Sequence, residues 1–276
     1  ELGIDPVDIR LKNAIYMGYK HPVLTINSCG FRESIEKVAG DLGWKERKGK
    51  LPPGHGLGVA CSSFVSGIKL LPNIGGSITI QVNADAGVNV LSGAADMGQG
   101  TDTVICQMVA EELGVRMEDI RLTAGDTATT PLDQGSFSSG VTLRIGNACI
   151  LAARDVKKKL LEVVAPHMEV SPEEIEIRGG KVFVRGHKEK GIDFAQAVKI
   201  YRHANKPMPL IGMGNYVLNT DDSIMMIQGK AGNQSPAYSF MCQGIEVKVD
   251  RESGEVRVLK VATAHDCGRA INALTI

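Results

Sequence analysis

The sequence predicts an α+β fold in which two related ββα units form layered mixed sheets and helices, with a hairpin–helix insertion between the units. Apolar residues alternate over 78–90 and again over 245–258, with a turn between the two halves of each stretch, which is the pattern of a β-hairpin. An Asp-x-Gly phrase follows each hairpin. Apolar residues at helical spacing over 145–163 indicate a long helix that would cover a sheet. We interpret the recurrence as an internal duplication.

Composition and periodicity divide the chain into four segments: lead-in helices with a linker at 1–54, a first unit at 55–170, an insertion at 171–207 and the start of a truncated second unit at 208–276. The lead-in opens with a helix whose start is marked by Asp5 followed by Pro6. A second helix has apolar residues at helical spacing over 35–42, and the Lys- and Gly-rich stretch 45–54 is the linker.

The first unit holds most of the predicted regular structure. Its elements in order are a buried strand over 56–64, the first hairpin, a helix over 101–113, a strand near 120–122 and the long helix over 145–163. The insertion is predicted as a hairpin with its turn at 179–180 and a helix over 194–201. The helix of the second unit would lie beyond residue 276, and the two Asp-x-Gly turns would face a shared cleft.

Bulk composition excludes several classes of protein. The chain has 276 residues with 31 Lys and Arg against 31 Asp and Glu, so it lacks the basic charge of a nucleic-acid binder. No apolar run approaches the about 20 residues of a membrane-spanning helix, and no signal peptide is visible. The six cysteines show no C-x-x-C pair, so we expect reduced thiols in a cytoplasmic protein and no zinc or iron–sulfur site. We also expect both termini to be artificial.

The first candidate binding site is the turn Gly98-Gln99-Gly100, between a predicted strand and a predicted helix. Glycine lacks a Cβ, so backbone N–H groups in such a turn can approach a ligand closely. The amino end of a helix adds free donors and partial positive charge, which suits a phosphate or another anion. Gln99 offers a side-chain amide that can donate and accept. A tight turn without a ligand explains the same residues and stays open as the alternative.

The second candidate is the small-residue stretch 133–140, just before the long helix. Ser136, Ser138 and Ser139 could donate several hydrogen bonds to a polar ligand. Ser138 or Ser139 could instead cap the helix, and the two roles are compatible.

The third candidate is the phrase 265–268, which contains Asp266 and Gly268. Neither its His nor its Cys has a partner motif in the sequence, so we assign no catalyst there.

Three phrases together resemble the molybdenum-binding large subunit of the xanthine dehydrogenase and aldehyde oxidase family. Residues 95–100 are similar to its M-G-Q-G loop, residues 135–148 to its second cofactor loop and following helix, and residues 264–272 to its D-x-G-x-x-x-N motif. Residues 5–13 also resemble a helix found upstream in that family. Within the family, Gly58 to Ser62 and Asn233 to Tyr238 are similar to the large subunit of 4-hydroxybenzoyl-CoA reductase.

The resemblance implies a molybdenum ion held by a molybdopterin, commonly its cytosine dinucleotide. The residues that would contact the cofactor are Gly98, Gln99, Gly100, Ser136, Ser138, Ser139, Asp266 and Gly268. It implies no metal ligand from the protein itself. Iron–sulfur clusters, and in some members FAD, would lie on partner subunits in a dimer of heteromers. The intact enzyme would oxidise or reduce a carbon of an aromatic, heterocyclic or CoA-bound substrate.

Some family features are missing from this chain. The family's catalytic Glu lies in a G-x-G-E phrase beyond residue 276, so no residue here inherits its role, and we expect these 276 residues alone to be inactive. Gly140 stands where many relatives carry Arg, and Ala273 where Pro is usual. One alternative is a non-catalytic assembly or cofactor-insertion scaffold with the same fold. Another is a phosphate- or nucleotide-binding module that uses only the Gly98–Gly100 turn.

Overall fold

The computed structural model describes residues 2–21, 24–69, 74–204, 208–218 and 233–276. These residues fall into two compact units, each assembled from separate stretches of the chain. The first unit comprises 1–70 and 221–270, and the second comprises 71–220 and 271–276.

The first unit is a three-stranded antiparallel sheet with helices on one face. Its strands are β3 at His55–Val65, β11 at Tyr238–Val249 and β12 at Val256–Asp266, in the order β12–β11–β3. Its helices are α1 at Pro6–Asn13, α2 at Phe31–Leu42 and α3 at Trp44–Arg47. A two-stranded hairpin pairs β1 at Lys20–His21 with β2 at Leu24–Thr25.

Helix α2 covers the sheet because its apolar residues recur at helical spacing. Ile35, Val38 and Leu42 are buried in the cluster that fills the space between helix and strands. The helix approaches β11 closely at Gly244, where a Cβ would lie 2.5 Å from Cδ1 of Leu42. A side chain at 244 would therefore push the helix away from the sheet.

Asp5 joins α1 to α3. Its carboxylate accepts hydrogen bonds from the amides of Val7 and Asp8, at the start of α1, and from Nε1 of Trp44 and Nζ of Lys48. Burial by itself would raise the pKa of Asp5, but these four donors outweigh it and lower the pKa to about 2. The predicted helix start at Asp5 and Pro6 is confirmed.

The second unit contains a four-stranded sheet in the order β10–β4–β5–β6. These strands are β4 at Gly75–Val82, β5 at Val88–Ser92, β6 at Ile120–Ala124 and β10 at Leu210–Val217. Helix α4 at Thr101–Leu113 connects the parallel pair β5 and β6, and α5 at Val141–His167 packs on β4 and β10. Short 3₁₀ turns lie at Met117–Asp119 and Pro172–Glu174.

The predicted insertion forms a further sheet in the second unit. Its strands are β7 at Ile175–Arg178, β8 at Lys181–Val184 and β9 at His187–Asp193, followed by α6 at Phe194–Ala204. The hairpin and helix are confirmed, whereas the third strand was not predicted because its residues are almost all exposed and polar. None of the described helices, the 27-residue α5 included, has the length and apolarity needed to cross a membrane.

The mixed α+β class with layered sheets and helices is confirmed, but strand pairing divides the chain differently from the predicted segments. The strand predicted over 56–64 pairs with β11 and not with the first hairpin, so it belongs with the lead-in helices. Only one of its faces is covered, so it is not the buried strand that was predicted. Strand β10, inside the predicted second unit, pairs with β4. The predicted linker begins inside α3.

Candidate functional site

The first loop (95–100) leads from β5 into α4 and holds the predicted Gly-Gln-Gly turn. The carboxylate of Asp96 accepts hydrogen bonds from the amides of Gly98 at 2.8 Å, Asp102 at 3.1 Å and Gly100 at 3.4 Å. These backbone donors, that of Asp102 first, lower the pKa of Asp96. The anion at the start of α4 is therefore a side chain of the protein itself.

Gln99 spans its own loop. Its Oε1 accepts from the amide of Met97 at 2.5 Å, and its Nε2 donates to Oγ1 of Thr101 at 2.7 Å and to the carbonyl of Ala95 at 3.2 Å. The side-chain amide is thus used to shape the turn. Its position is set by three atoms of neighbouring residues.

Both glycines of the first loop have left-handed backbone conformations, with φ of 100° at Gly98 and 79° at Gly100. Such φ values explain why glycine is present at these positions. A Cβ built at either one would meet no atom within 4 Å. The turn therefore faces open space, where a ligand could approach the backbone.

The second loop (133–140) lies before α5 and is held in an unusual conformation. Ser138 and Ser139 have φ of 52° and 49°, which residues with a side chain rarely adopt. Gly135 has φ of 102°, and a Cβ there would also meet no atom within 4 Å. Left-handed residues of this kind persist only where surrounding contacts enforce them, and they concentrate at functional sites.

The two loops contact each other. Oγ of Ser136 donates to the carbonyl of Ala95 at 3.0 Å. The structure therefore brings together Gly98, Gln99, Gly100, Ser136, Ser138 and Ser139 on two loops that share this hydrogen bond.

The helix cap of α5 is Gly140, and it has no side-chain capping bond. The alternative in which Ser138 or Ser139 caps the helix is therefore wrong.

A buried guanidinium lies behind the second loop. Arg144 in α5 donates to the carbonyls of Gly75 at 3.1 Å and Gly135 at 2.6 Å. Its Nη1 is 3.7 Å from Oδ2 of Asp133, and both side chains are 1% exposed. The ring of Phe137 stacks at 5.0 Å from its guanidinium carbon. The sequence interpretation missed this residue, although a charged residue on the apolar side of a long helix was a visible signal.

Asp266 and Gly268 lie in the first unit, where Asp266 is the last residue of β12 and Gly268 follows the strand. The Asp266 carboxylate accepts from the amide of Gly30 at 2.6 Å and from the amide of Gly268 at 3.1 Å. Gly30 is the cap residue of α2, so Asp266 stabilises that helix start. Gly268 has φ of 72° and space around it. Asp266 thus has a structural role that explains its presence without a ligand.

The described residues contain no group of three or more His, Cys, Asp or Glu side chains placed to hold a metal ion. Two buried polar atoms on α4 lack a hydrogen-bond partner among the described residues, Oδ1 of Asp102 and Oε1 of Gln107. Burial, followed by the charge of Asp96, raises the pKa of Asp102. The start of α4 therefore carries two carboxyl groups whose pKa values shift in opposite directions.

Known proteins resemble this chain over nearly all of its length. Residues 36–276 match the family described as Molybdopterin cofactor-binding domain. The xanthine dehydrogenase molybdenum-binding subunit of Escherichia coli O157:H7 is 31% identical over 283 residues, which cover 99% of this chain and 36% of that protein. The 6-hydroxypseudooxynicotine dehydrogenase complex subunit gamma of Paenarthrobacter nicotinovorans is 29% identical over 250 residues, 89% of this chain and 29% of that one.

Solved structures share the fold. The CO dehydrogenase of Oligotropha carboxidovorans superposes with a TM-score of 0.75 at 21% identity, over 99% of this chain and 35% of its own. Quinoline 2-oxidoreductase of Pseudomonas putida 86 superposes with a TM-score of 0.72 at 22% identity, over 99% of this chain and 36% of its own.

The predicted family is thereby confirmed. The chain spans about a third of the length of these relatives, 36% for the Escherichia coli subunit. The chain therefore belongs to the molybdopterin cofactor-binding domain family found in the large subunits of xanthine dehydrogenase- and CO dehydrogenase-type enzymes.

Proposed function

We propose that the two hydrogen-bonded loops of the second unit bind a molybdopterin in a redox enzyme subunit. Gly98, Gln99 and Gly100 would contact the cofactor from the first loop, and Ser136, Ser138 and Ser139 from the second. The family resemblance would also assign Asp266 and Gly268 of the first unit to cofactor binding. The observation that carries the proposal is the Ser136–Ala95 hydrogen bond, which joins two glycine-containing loops that both face open space.

The residues present fit a polar, hydrogen-bonding ligand. A Cβ built at Gly98, Gly100 or Gly135 would meet no protein atom within 4 Å. A ligand could therefore approach the backbone of these glycines closely. Ser138 and Ser139 are small hydroxyl residues held in left-handed conformations next to it. The amides at the start of α4 already bind Asp96, so the first loop suits neutral ligand atoms better than a phosphate.

The occupied amides also weigh against the module that would bind phosphate through the Gly98–Gly100 turn alone. A phosphate there would have to displace the carboxylate of Asp96 or lie beside it, and two anions in one helix start repel each other. A loosely bound phosphate would be displaced by added salt. We therefore favour the cofactor-binding function over this module.

When bound, a molybdopterin supplies the metal-centred redox chemistry, whereas the protein supplies binding and orientation. In this chain, the hydroxyls of Ser138 and Ser139 would donate to the cofactor, and the Ser136–Ala95 bond would hold the two loops in register. Arg144 would keep the second loop in its binding conformation through its hydrogen bond to the carbonyl of Gly135.

We further propose that the whole protein is a molybdenum hydroxylase or reductase acting on an aromatic, heterocyclic or CoA-bound substrate, with a cytosine dinucleotide form of the cofactor. The similarity to 4-hydroxybenzoyl-CoA reductase falls on β3 and on the residues before β11. Iron–sulfur and FAD subunits would accept or supply electrons, in a dimer of heteromers. Six free thiols suit a reducing compartment such as the cytoplasm.

We propose further that the 276 residues alone neither retain the cofactor nor turn over substrate; they span about a third of the length of the relatives. The alternative is a non-catalytic assembly scaffold with the same fold. The sequence of the complete gene product discriminates between them, because a G-x-G-E phrase in it supports the enzyme and its absence supports the scaffold.

The direct test uses the complete gene product, purified with its subunits from a host that makes molybdopterin. Molybdenum and pterin are measured per chain, together with the nucleotide released on hydrolysis. We expect stoichiometric molybdenum and pterin with cytidine monophosphate, and protein free of both would overturn the function.

The site itself is tested by the variant Ser136→Ala/Ser138→Ala/Ser139→Ala against Ser62→Ala, an exposed residue of β3. The triple variant should lose most of its pterin at an unchanged fold, as measured by circular dichroism, whereas the control should keep it. Full pterin occupancy in the triple variant would remove these serines from the site without affecting the family assignment.

A further inference from the structure

Two cysteines face each other across the sheet of the first unit. Cys61 in β3 and Cys242 in β11 are direct register partners, and their sulfur atoms are 3.5 Å apart. Opposed residues of an antiparallel pair have Cα atoms about 4.5–5.5 Å apart, and disulfides span about 4.4–6.8 Å. A bond between these sulfurs therefore needs side-chain rotation and no separation of the strands.

Both thiols lie under the helices of the first unit. Cys242 is buried and Cys61 is half-buried, in the apolar cluster that includes Val38 and Leu42 of α2. Burial, followed by the neighbouring Cys61, raises the pKa of Cys242 to about 12. Little Cys242 thiolate therefore forms at neutral pH. Neither thiol has a role in the cofactor site proposed above.

We propose that Cys61 and Cys242 are an oxidative modification site that closes to a reversible disulfide when the protein meets a peroxide. The peroxide O–O bond breaks as the half-buried Cys61 is oxidised to a sulfenic acid, and one water leaves. The sulfur of Cys242 then attacks that sulfur and expels a second water. In sum, two thiols and one hydrogen peroxide give one disulfide and two waters.

The crosslink would join distant parts of the chain. The two cysteines are 181 positions apart, and they connect the two chain stretches from which the first unit is assembled. A covalent tie across so long a loop restricts the unfolded chain strongly. Oxidation would therefore stabilise the sheet that carries Asp266 at the end of β12.

The test treats the purified chain with hydrogen peroxide at about pH 7 and about pH 9, blocks free thiols, and maps peptides without reduction. We expect a linked peptide containing Cys61 and Cys242, formed faster at the higher pH because more of the attacking Cys242, whose pKa is raised to about 12, is then thiolate. Oxidised protein should unfold at a higher urea concentration, and dithiothreitol should reverse both effects. The stabilisation should be absent in Cys61→Ser.

Two outcomes would overturn the proposal. One is a linked peptide that joins other cysteines, such as Cys106 and Cys149 on the neighbouring helices α4 and α5, while Cys61 remains open to alkylation. The other is oxidation of Cys61 and Cys242 to separate sulfinic acids. Peptide mapping of the unsubstituted chain decides between these outcomes even if Cys61→Ser folds poorly.

Discussion

Nη2 of Arg144 donates to the carbonyl of Gly135 at 2.6 Å, from a side chain that is 1% exposed. Through Nη1 the same guanidinium binds the carbonyl of Gly75 in β4, so one residue of α5 joins a sheet strand to the second loop. Asp133 balances its charge at 3.7 Å. The left-handed residues of this loop thus rest on a buried ionic contact.

Arg144→Met should destabilise the chain by about 3–5 kcal/mol, because it leaves the Asp133 carboxylate and two carbonyls buried without this partner. Arg154→Met is the matched control in the same helix, since its pair with Glu112 is exposed and should be worth about 0–1 kcal/mol. Urea denaturation followed by circular dichroism measures both. Equal losses of unfolding free energy in the two variants would show that the buried contact stabilises the chain no more than the exposed pair does.

Asp96→Asn should lower stability at about pH 7, because the variant loses the carboxylate that accepts from the amides of Gly98 and Asp102. The pKa of Asp96 is lowered in the folded chain, so its contribution is present above the unfolded value of about 3.9 and disappears as the pH falls through the folded value. Thermal unfolding at a series of pH values measures the difference between variant and parent. Asp193→Asn, which changes an exposed pair with Lys181, is the control. A difference that is constant with pH would contradict this assignment.

Asp102→Asn should act in the opposite direction. Burial raises the pKa of Asp102, so the folded chain binds the proton more tightly than the unfolded chain, and ionisation at neutral pH opposes folding. The variant should therefore unfold at a higher temperature than the parent at about pH 7, and this advantage should vanish below the unfolded pKa of about 3.9. The same pH series measures it. Loss of stability at neutral pH would show that the carboxylate has a favourable partner.

Gly214→Ala should destabilise the chain by about 1–3 kcal/mol or more, because a Cβ at this position of β10 would collide with the carbonyl oxygen of Ala148 in α5. Gly58→Ala in β3 is the matched strand control, since a Cβ there meets no atom within 4 Å. Urea denaturation compares the two. If both variants lose the same stability, the close approach of helix and strand is not what requires glycine.

Periodicity predicted the elements whose burial follows one regular pattern. Ile78, Ile80 and Val82 alternate with residues that are less buried, and the apolar residues of α5 recur at helical spacing. Strand β10 escaped prediction because Gly212 and Gly214 occupy its inward positions, where only glycine allows α5 to approach. A glycine carries no hydrophobic signal, although it marks a buried contact here.

The candidate site was only partly predictable. The Gly-Gln-Gly turn and the serine loop were identified because small residues next to helix starts are a local feature. The sequence position of Asp96 did not show that its carboxylate accepts hydrogen bonds from the amides of the turn. These bonds depend on the folded conformation of the loop. Arg144 contacts Gly75 across 69 positions, so its role depended on packing.

The amino-acid sequence by itself determined the α+β class, most helices and strands, and the small-residue loops, because side-chain periodicity and turn chemistry act over a few neighbouring residues. Only the tertiary structure decided that β3 pairs with β11 and β10 with β4, and that the two loops are joined through Ser136. Strand partners are chosen by contacts between residues far apart in the chain, and many partners satisfy the same alternation of apolar residues. The pairing that buries the most apolar surface with all polar groups satisfied is a property of the whole chain.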